Sequence, residues 1–136
     1  MRSIEFAYTY YKGLYIPVVP LQLNHRSEWF EHWAFVDSGA TYSVFHAREA
    51  SNMELDLDSS MQRMIVVGDG SFIPAAFVKM PTRIGDVELE IEIGFSERLG
   101  VGFNLLGRKD LFEKFQVCFS DSKRTISFHF DESITQ

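Results

Sequence analysis

Apolar and polar positions alternate most cleanly over Val87–Ile93, where Val87, Leu89, Ile91 and Ile93 are interleaved with Glu88, Glu90 and Glu92. A period of two places the apolar side chains on one face of a strand and the carboxylates on the other, so this segment is predicted to have one face in the core and one in water. Ala76–Ile84 reads as the strand before it, joined through Gly85-Asp86. Upstream, Met64–Val67 and Phe72-Ile73 flank Gly68-Asp69-Gly70-Ser71, the grammar of a hairpin with an Asp-Gly turn. Trp29–Val36 is a further extended run, separated by a turn over Asn24–Glu28 from the run Leu14–Leu23. Pro17 and Pro20 each lack a ladder donor, so that run is expected to be an edge strand or a strand entry rather than central throughout.

Residues 1–13 mix aromatic and small polar side chains, with Ile4, Phe6 and Tyr8 in alternation. Val44–Met53 has room for a short helix around Ala47, Glu49 and Ala50, after which Leu55 and Leu57 are expected to begin another strand. Phe95–Gly102 reads as a loop. Arg108–Phe115 reads as a short amphipathic helix with Leu111, Phe112 and Phe115 inward. Gln116–Phe119 and Thr125–Phe130 should pair as a closing hairpin across residues 120–123. No repeat and no Pro-, Gly- or Ser-rich linker divides the chain, so residues 1–136 are expected to form one domain. The predicted architecture is all-β, a small closed barrel with one short C-terminal helix.

Composition supports strands: aromatic residues make up 15% of the chain, 13 of them Phe. A net charge of −6 argues against binding a phosphate backbone, which needs clustered Lys and Arg. No basic stretch followed by an apolar one opens the sequence and no apolar run is long enough to span a bilayer, so a cytoplasmic protein without membrane contact is expected. The single cysteine, Cys118, excludes an intrachain disulfide and a cysteine zinc site; within the apolar run Phe115–Phe119 it is expected to be buried and inert. His25, Glu28 and His32 are interrupted by Trp29 and Phe30 and fit no closed ligand set, so these histidines are expected at the surface or in turns, with no metal. Ser38, Ser43 and His46 do not make a Gly-x-Ser-x-Gly elbow, and Asp69-Gly70 is too short for a phosphate loop.

Two apolar runs stop abruptly at polar or glycine residues. Ala34-Phe35-Val36 leads into Asp37-Ser38-Gly39-Ala40, and Asn104-Leu105-Leu106 leads into Gly107-Arg108. A carboxylate directly after an apolar strand is costly unless compensated; alone, Asp37-Ser38-Gly39 also reads as an Asx turn that ends a strand. The ordered set, with the hairpin around Gly68–Ser71 between the two stops, resembles the retropepsin-like aspartic peptidases. Their mark is two apolar residues, Asp, Thr or Ser, Gly, then Ala or Ser, followed after a flap hairpin by two apolar residues, Gly and a short helix. The resemblance spans residues 17–130.

That resemblance implies a barrel of the acid protease type and an aspartic endopeptidase that needs no cofactor, acting on a peptide or protein. Asp37 matches the catalytic position. Ser38 would hold the two aspartate loops across a dimer axis or cap its own turn, and Gly39 would let substrate backbone approach. Leu105, Leu106 and Gly107 would pack beneath the aspartate loop. Ala40 and Thr41, with Gly68, Asp69, Gly70 and Ser71 of a flap running from Met64 to Ala76, would contact substrate. Two carboxylates sharing one site cannot both ionise cheaply, which divides them into acid and base, the logic of the general aspartic-protease case. Asp69 is a hairpin tip, and Asp110 and Asp121 are expected to be solvated, so a homodimer in which each chain contributes Asp37 supplies the pair.

The acidic residue that retroviral members carry four places after the catalytic Asp, where it pairs with the Arg after the second motif's Gly, is Thr41 here, while Arg108 remains. Together with Lys109-Asp110 this suits a bacterial or cellular branch of the family better. Terminal strands that tie a dimer, or that close the monomer's own sheet, would both explain Ile4–Tyr8 and Thr125–Phe130. The alternative function is a non-catalytic dimeric module that binds peptides in the same groove.

Overall fold

The computed structural model describes residues 1–132. In chain order the strands are β1 (Arg2–Ala7), β2 (Thr9–Tyr11), β3 (Leu14–Ile16), β4 (Val18–His25), β5 (Glu28–Val36) and β6 (Ser43–His46), then helix α1 (Ala47–Asn52). There follow β7 (Met61–Val66), β8 (Phe72–Ile84), β9 (Val87–Ser96), β10 (Asn104–Leu106), helix α2 (Leu111–Lys114), β11 (Gln116–Ser120) and β12 (Thr125–Phe130). The main sheet runs β4-β5-β10-β6-β9-β8-β7, and β8 also pairs with β4 through Gln22 opposite Arg83 and Leu23 opposite Thr82. That pairing closes β4, β5, β10, β6, β9 and β8 into a barrel and leaves β7 beyond it. The fold is therefore the expected all-β barrel with a projecting hairpin.

The proline expectation has a simple geometric outcome. Pro17 falls between β3 and β4, and Pro20 pairs only with Trp33 of β5, since contact with β8 begins at Gln22. The missing donor thus falls where β4 is still an edge, and the same strand becomes central two residues later. The alternation in β9 is also realised: Val87, Ile91 and Ile93 are fully buried, with Val19, Leu21, Leu23, Val36, Phe45 and Leu106 in the same core. A three-stranded sheet, β1-β12-β11, carries the rest of that core, where Phe115 meets Phe128 and Phe130 edge-on at 5.6 and 5.5 Å. The terminal strands therefore pair within the chain, from Arg2 opposite Phe130 to Ala7 opposite Thr125.

Several expectations are corrected. Leu55 and Leu57 start no strand; they lie in the irregular stretch between α1 and β7 and pack onto the core from there, because Glu54 takes a left-handed φ of 56° that redirects the chain after the helix. β8 is one strand from Phe72, not from Ala76: Pro74 lies opposite Met64 in the ladder, and its carbonyl accepts the Ser96 hydroxyl at 2.7 Å. β9 runs on to Ser96, two residues into the expected loop. Of Arg108–Phe115 only Leu111–Lys114 is helical, since Asp110 has a left-handed φ of 68°. The helix around Glu49 means that the C-terminal one is not alone. Cys118 is exposed rather than buried, on the outer face of an edge strand whose alternation points Val117 inward. His32 is a core residue rather than a surface one. No described helix is long and apolar enough to cross a membrane.

Candidate active site

The short strand β10 decides the site. It lies parallel to β5, with Leu105 opposite Phe35 and Leu106 opposite Val36, and antiparallel to β6 through Leu105 opposite Val44. The loop from Asp37 to Tyr42 must therefore arch over the end of β10 to carry the chain from one of its neighbours to the other. Main-chain bonds pin that arch on both sides: Asp37 N–H donates to Leu106 O at 2.9 Å, Arg108 N–H to Ala40 O at 2.8 Å and Lys109 N–H to Thr41 O at 2.9 Å. The turn itself is an Asx turn, as Gly39 N–H donates to Asp37 Oδ1 at 2.8 Å. Ser38 is exposed, and its hydroxyl makes no hydrogen bond among the described residues.

Gly107 is the residue that permits the crossing. A Cβ there would lie 2.3 Å from Tyr42 O and 2.8 Å from Ala40 O, inside the contact distance of any side chain. Its N–H donates to the buried Ser43 hydroxyl at 3.0 Å, which ties the start of β6 to the same point. Leu106 is fully buried in the main core, whereas Leu105 is half-buried and packs with Val44, Phe77 and Leu99 in a second cluster.

Asp37 opens onto a cleft of about 850 Å³. It is lined by the aspartate loop, with Gly39, Ala40, Thr41 and Tyr42, by Met64–Asp69 of the β7–β8 hairpin, and by Leu99–Val101 and Phe103. Asp37, Gly39, Ala40, Thr41, Leu105, Gly68 and Asp69 are thus brought to one cavity. Ser38, Leu106, Gly107, Gly70 and Ser71 do not line it. Gly70 instead serves the turn through its φ of +85°, and a Cβ at that position would meet nothing within 4 Å. The sequence reading missed Phe35, Tyr42, Val44, Leu99, Val101 and Phe103. Apolar residues bordering a motif carry no mark that separates a cleft wall from a core.

The hairpin is anchored to the aspartate loop by Arg63 of β7. Its guanidinium lies 3.8 Å over the Phe77 ring and 5.5 Å from that of Tyr42, and bonds Glu92 at 2.7 Å. Lys109 bonds the same carboxylate at 2.8 Å, so Glu92 is held below the ordinary carboxylate range, with Lys109 the first cause and Arg63 the second. Cation–π contacts of this kind gain where the cation is partly desolvated.

Beneath the site, Glu49 of α1 accepts from Asn104 Nδ2 at 2.8 Å and bonds His32 Nδ1 at 3.0 Å, while Asn104 Oδ1 accepts from His46 N–H at 2.9 Å. This joins α1, β5, β6 and β10. Chiefly through His32, and then Asn104, the Glu49 carboxyl is held below its usual value. A depressed carboxyl stabilises the fold above its unfolded pKa, and that stability is lost as pH falls through the folded value. Glu49→Gln should therefore lower the melting temperature at neutral pH, with the gap to the parent closing as pH falls below the ordinary glutamate range. Thermal unfolding across that range is the check, and a gap constant with pH would contradict it.

The other aspartates named in the sequence are engaged. Asp110 Oδ2 accepts from Glu92 N–H at 2.9 Å, and Asp121 accepts from the Tyr8 hydroxyl at 2.7 Å. Burial, followed by that bond, pushes Tyr8 up to about 12. Asp121 is exposed, as expected, whereas Asp110 is half-buried, and neither lines the cleft. Asp69 does line it, but its Oδ1 accepts from Ser71 Oγ at 2.6 Å and from Ser71 N–H at 2.9 Å, which holds its carboxyl below the usual range. Among the described residues no group of three or more His, Cys, Asp or Glu is placed to hold a metal.

No family model and no curated protein matches the sequence. Among solved structures the fold is similar to that of a retropepsin-like aspartic protease from Rickettsia conorii, with a TM-score of 0.65 and 14% identity over 95% of this chain and 93% of that one. The fold is retropepsin-like.

Proposed function

We propose that this chain is an aspartic endopeptidase of the retropepsin-like family, active as a homodimer with one Asp37 from each chain at a shared centre. The observation that carries the reading is the placement of Asp37, alone of the aspartates on a pinned loop, in a cleft faced by a projecting hairpin. Asp69, the other carboxylate of that cleft, sits at the hairpin tip with its Oδ1 taken up by the Ser71 N–H and hydroxyl. A second acid must then come from a second chain, and a twofold axis sets a residue beside its own copy.

In this mechanism one Asp37 carboxylate takes a proton from a water as the water oxygen attacks the scissile carbonyl carbon. The protonated Asp37 of the partner donates to the carbonyl oxygen. Collapse of the tetrahedral intermediate breaks the C–N bond, with a proton delivered to the leaving nitrogen. The substrate lies extended between the aspartate loop and the hairpin, its main chain paired as an added strand and its side chains against Phe35, Val44, Ile65 and Leu99. Gly39, Ala40, Thr41, Gly68 and Asp69 would touch its backbone, with Gly70 and Ser71 shaping the hairpin tip and Ser38 reaching across the axis. Thr41 beside Arg108 fits a bacterial or cellular member. An exposed lone thiol at Cys118 suits a reducing cytoplasm.

Specific activity on a denatured protein, assayed between about pH 4 and 7, should fall on dilution through the dimer dissociation constant. The melting temperature should rise with protein concentration. A fully active monomer in sedimentation would overturn the shared site. A dimer that binds but never cleaves would make the chain a peptide-binding module.

A further inference from the structure

Beside the main cleft lies a second groove of about 440 Å³, lined by Thr41, Tyr42, Arg108, Lys109, Phe112 and Glu113. Thr41 and Tyr42 line both, so a chain leaving the cleft past Thr41 enters this groove. Its charged groups are unequal. Lys109 is bonded to Glu92 at 2.8 Å, and Glu113 Oε1 accepts from the Asp110 N–H at 3.2 Å. Arg108 is exposed, and among the described residues no carboxylate pairs with it. Its backbone is nonetheless fixed to the aspartate loop through Ala40 O. The neighbour at the loop's edge is Thr41, which carries no charge.

We propose that Arg108 forms a distal subsite that takes an acidic side chain of the peptide substrate, an inference that rests on the peptidase reading above. A guanidinium presents a planar fork of donors that matches a carboxylate in two bonds, and Thr41 adds a hydroxyl at the same rim. Tyr42 and Phe112 supply ring surface for the methylenes of a Glu. On a chain of net charge −6, an unpaired cation fixed at the exit of the cleft also creates a local positive potential that favours an anionic residue. The chain's own loop offers Arg108 no acid, so its donors are open to one from outside the chain.

The test uses a series of peptides that share one apolar core around the cut and carry Glu, Gln or Lys at each outlying position in turn. At one outlying position Glu should exceed Gln in kcat/KM by about fivefold, mainly through KM and less so at high salt, as for a partly exposed ion pair. Arg108→Gln should bring that ratio to about one, and Arg108→Glu should invert it in favour of Lys. Each ratio is taken within one variant, so the folded fraction cancels. Equal rates for Glu and Gln peptides in the parent, or a preference that survives Arg108→Gln, would overturn the subsite. Failure of the parent to cut any peptide would instead overturn the peptidase reading. Anisotropy with labelled peptides of the same series would then decide the groove alone: a Glu preference in Kd lost in Arg108→Gln supports it, and no preference overturns it.

Discussion

Asp37→Asn is expected to abolish peptide hydrolysis, by at least about 10³-fold, while the protein folds and melts close to the parent. The amide is nearly isosteric, and its oxygen can still accept the Gly39 N–H that now bonds Asp37 Oδ1 at 2.8 Å. The loop therefore keeps its shape. Lost is the ionised oxygen that removes a proton from water, which an amide cannot replace at any pH in the working range. The measurement is a paired one: turnover of a denatured protein, and the thermal midpoint of the same sample. Activity equal to the parent would remove Asp37 from the chemistry. Lost activity with a large drop in midpoint would make its role structural.

Gly107→Ala should have the largest effect on stability, at least about 3 kcal/mol, because the new methyl would meet main chain rather than the end of a movable side chain. With Tyr42 O at 2.3 Å and Ala40 O at 2.8 Å from that Cβ, the aspartate loop must lift off β10. The bonds Arg108 N–H to Ala40 O and Lys109 N–H to Thr41 O would lengthen, and Asp37 would lose its fixed position. Activity should fall further than the folded fraction does. Denaturant unfolding with activity at matched folded fraction separates the two effects, and a variant as stable and as active as the parent would show that the crossing is looser than the structure has it.

These two residues also show what a sequence can carry. Asp37 and Gly107 break apolar runs, and a polar or glycine break in a strand is visible in a string of letters. Leu55 and Leu57 looked like a strand because alternation was all there was to see, while a left-handed Glu54 had already turned the chain. Phe72-Ile73 and Ala76–Ile84 read as separate segments, yet Pro74 between them stays in the ladder and its carbonyl accepts from Ser96, some twenty residues on. Cys118 was misplaced for a related reason. Which face of β11 meets the core depends on β12, its neighbour in the sheet. The cleft walls at Phe35, Tyr42 and Leu99, the Arg63 stack and the Glu49 network all depend on contacts between elements distant in the chain, and only the folded barrel brings them together.

The shared centre is tested most directly by mixing chains. Parent protein is equilibrated with a growing excess of Asp37→Asn chains, and activity is measured per parent chain at fixed total concentration well above dissociation. If each site needs two Asp37 carboxylates, random pairing leaves the parent mostly in mixed dimers, and at a ninefold excess of variant its activity should fall to about a tenth. Activity per parent chain that stays level across the whole series, with mixed dimers shown to form, would contradict the account.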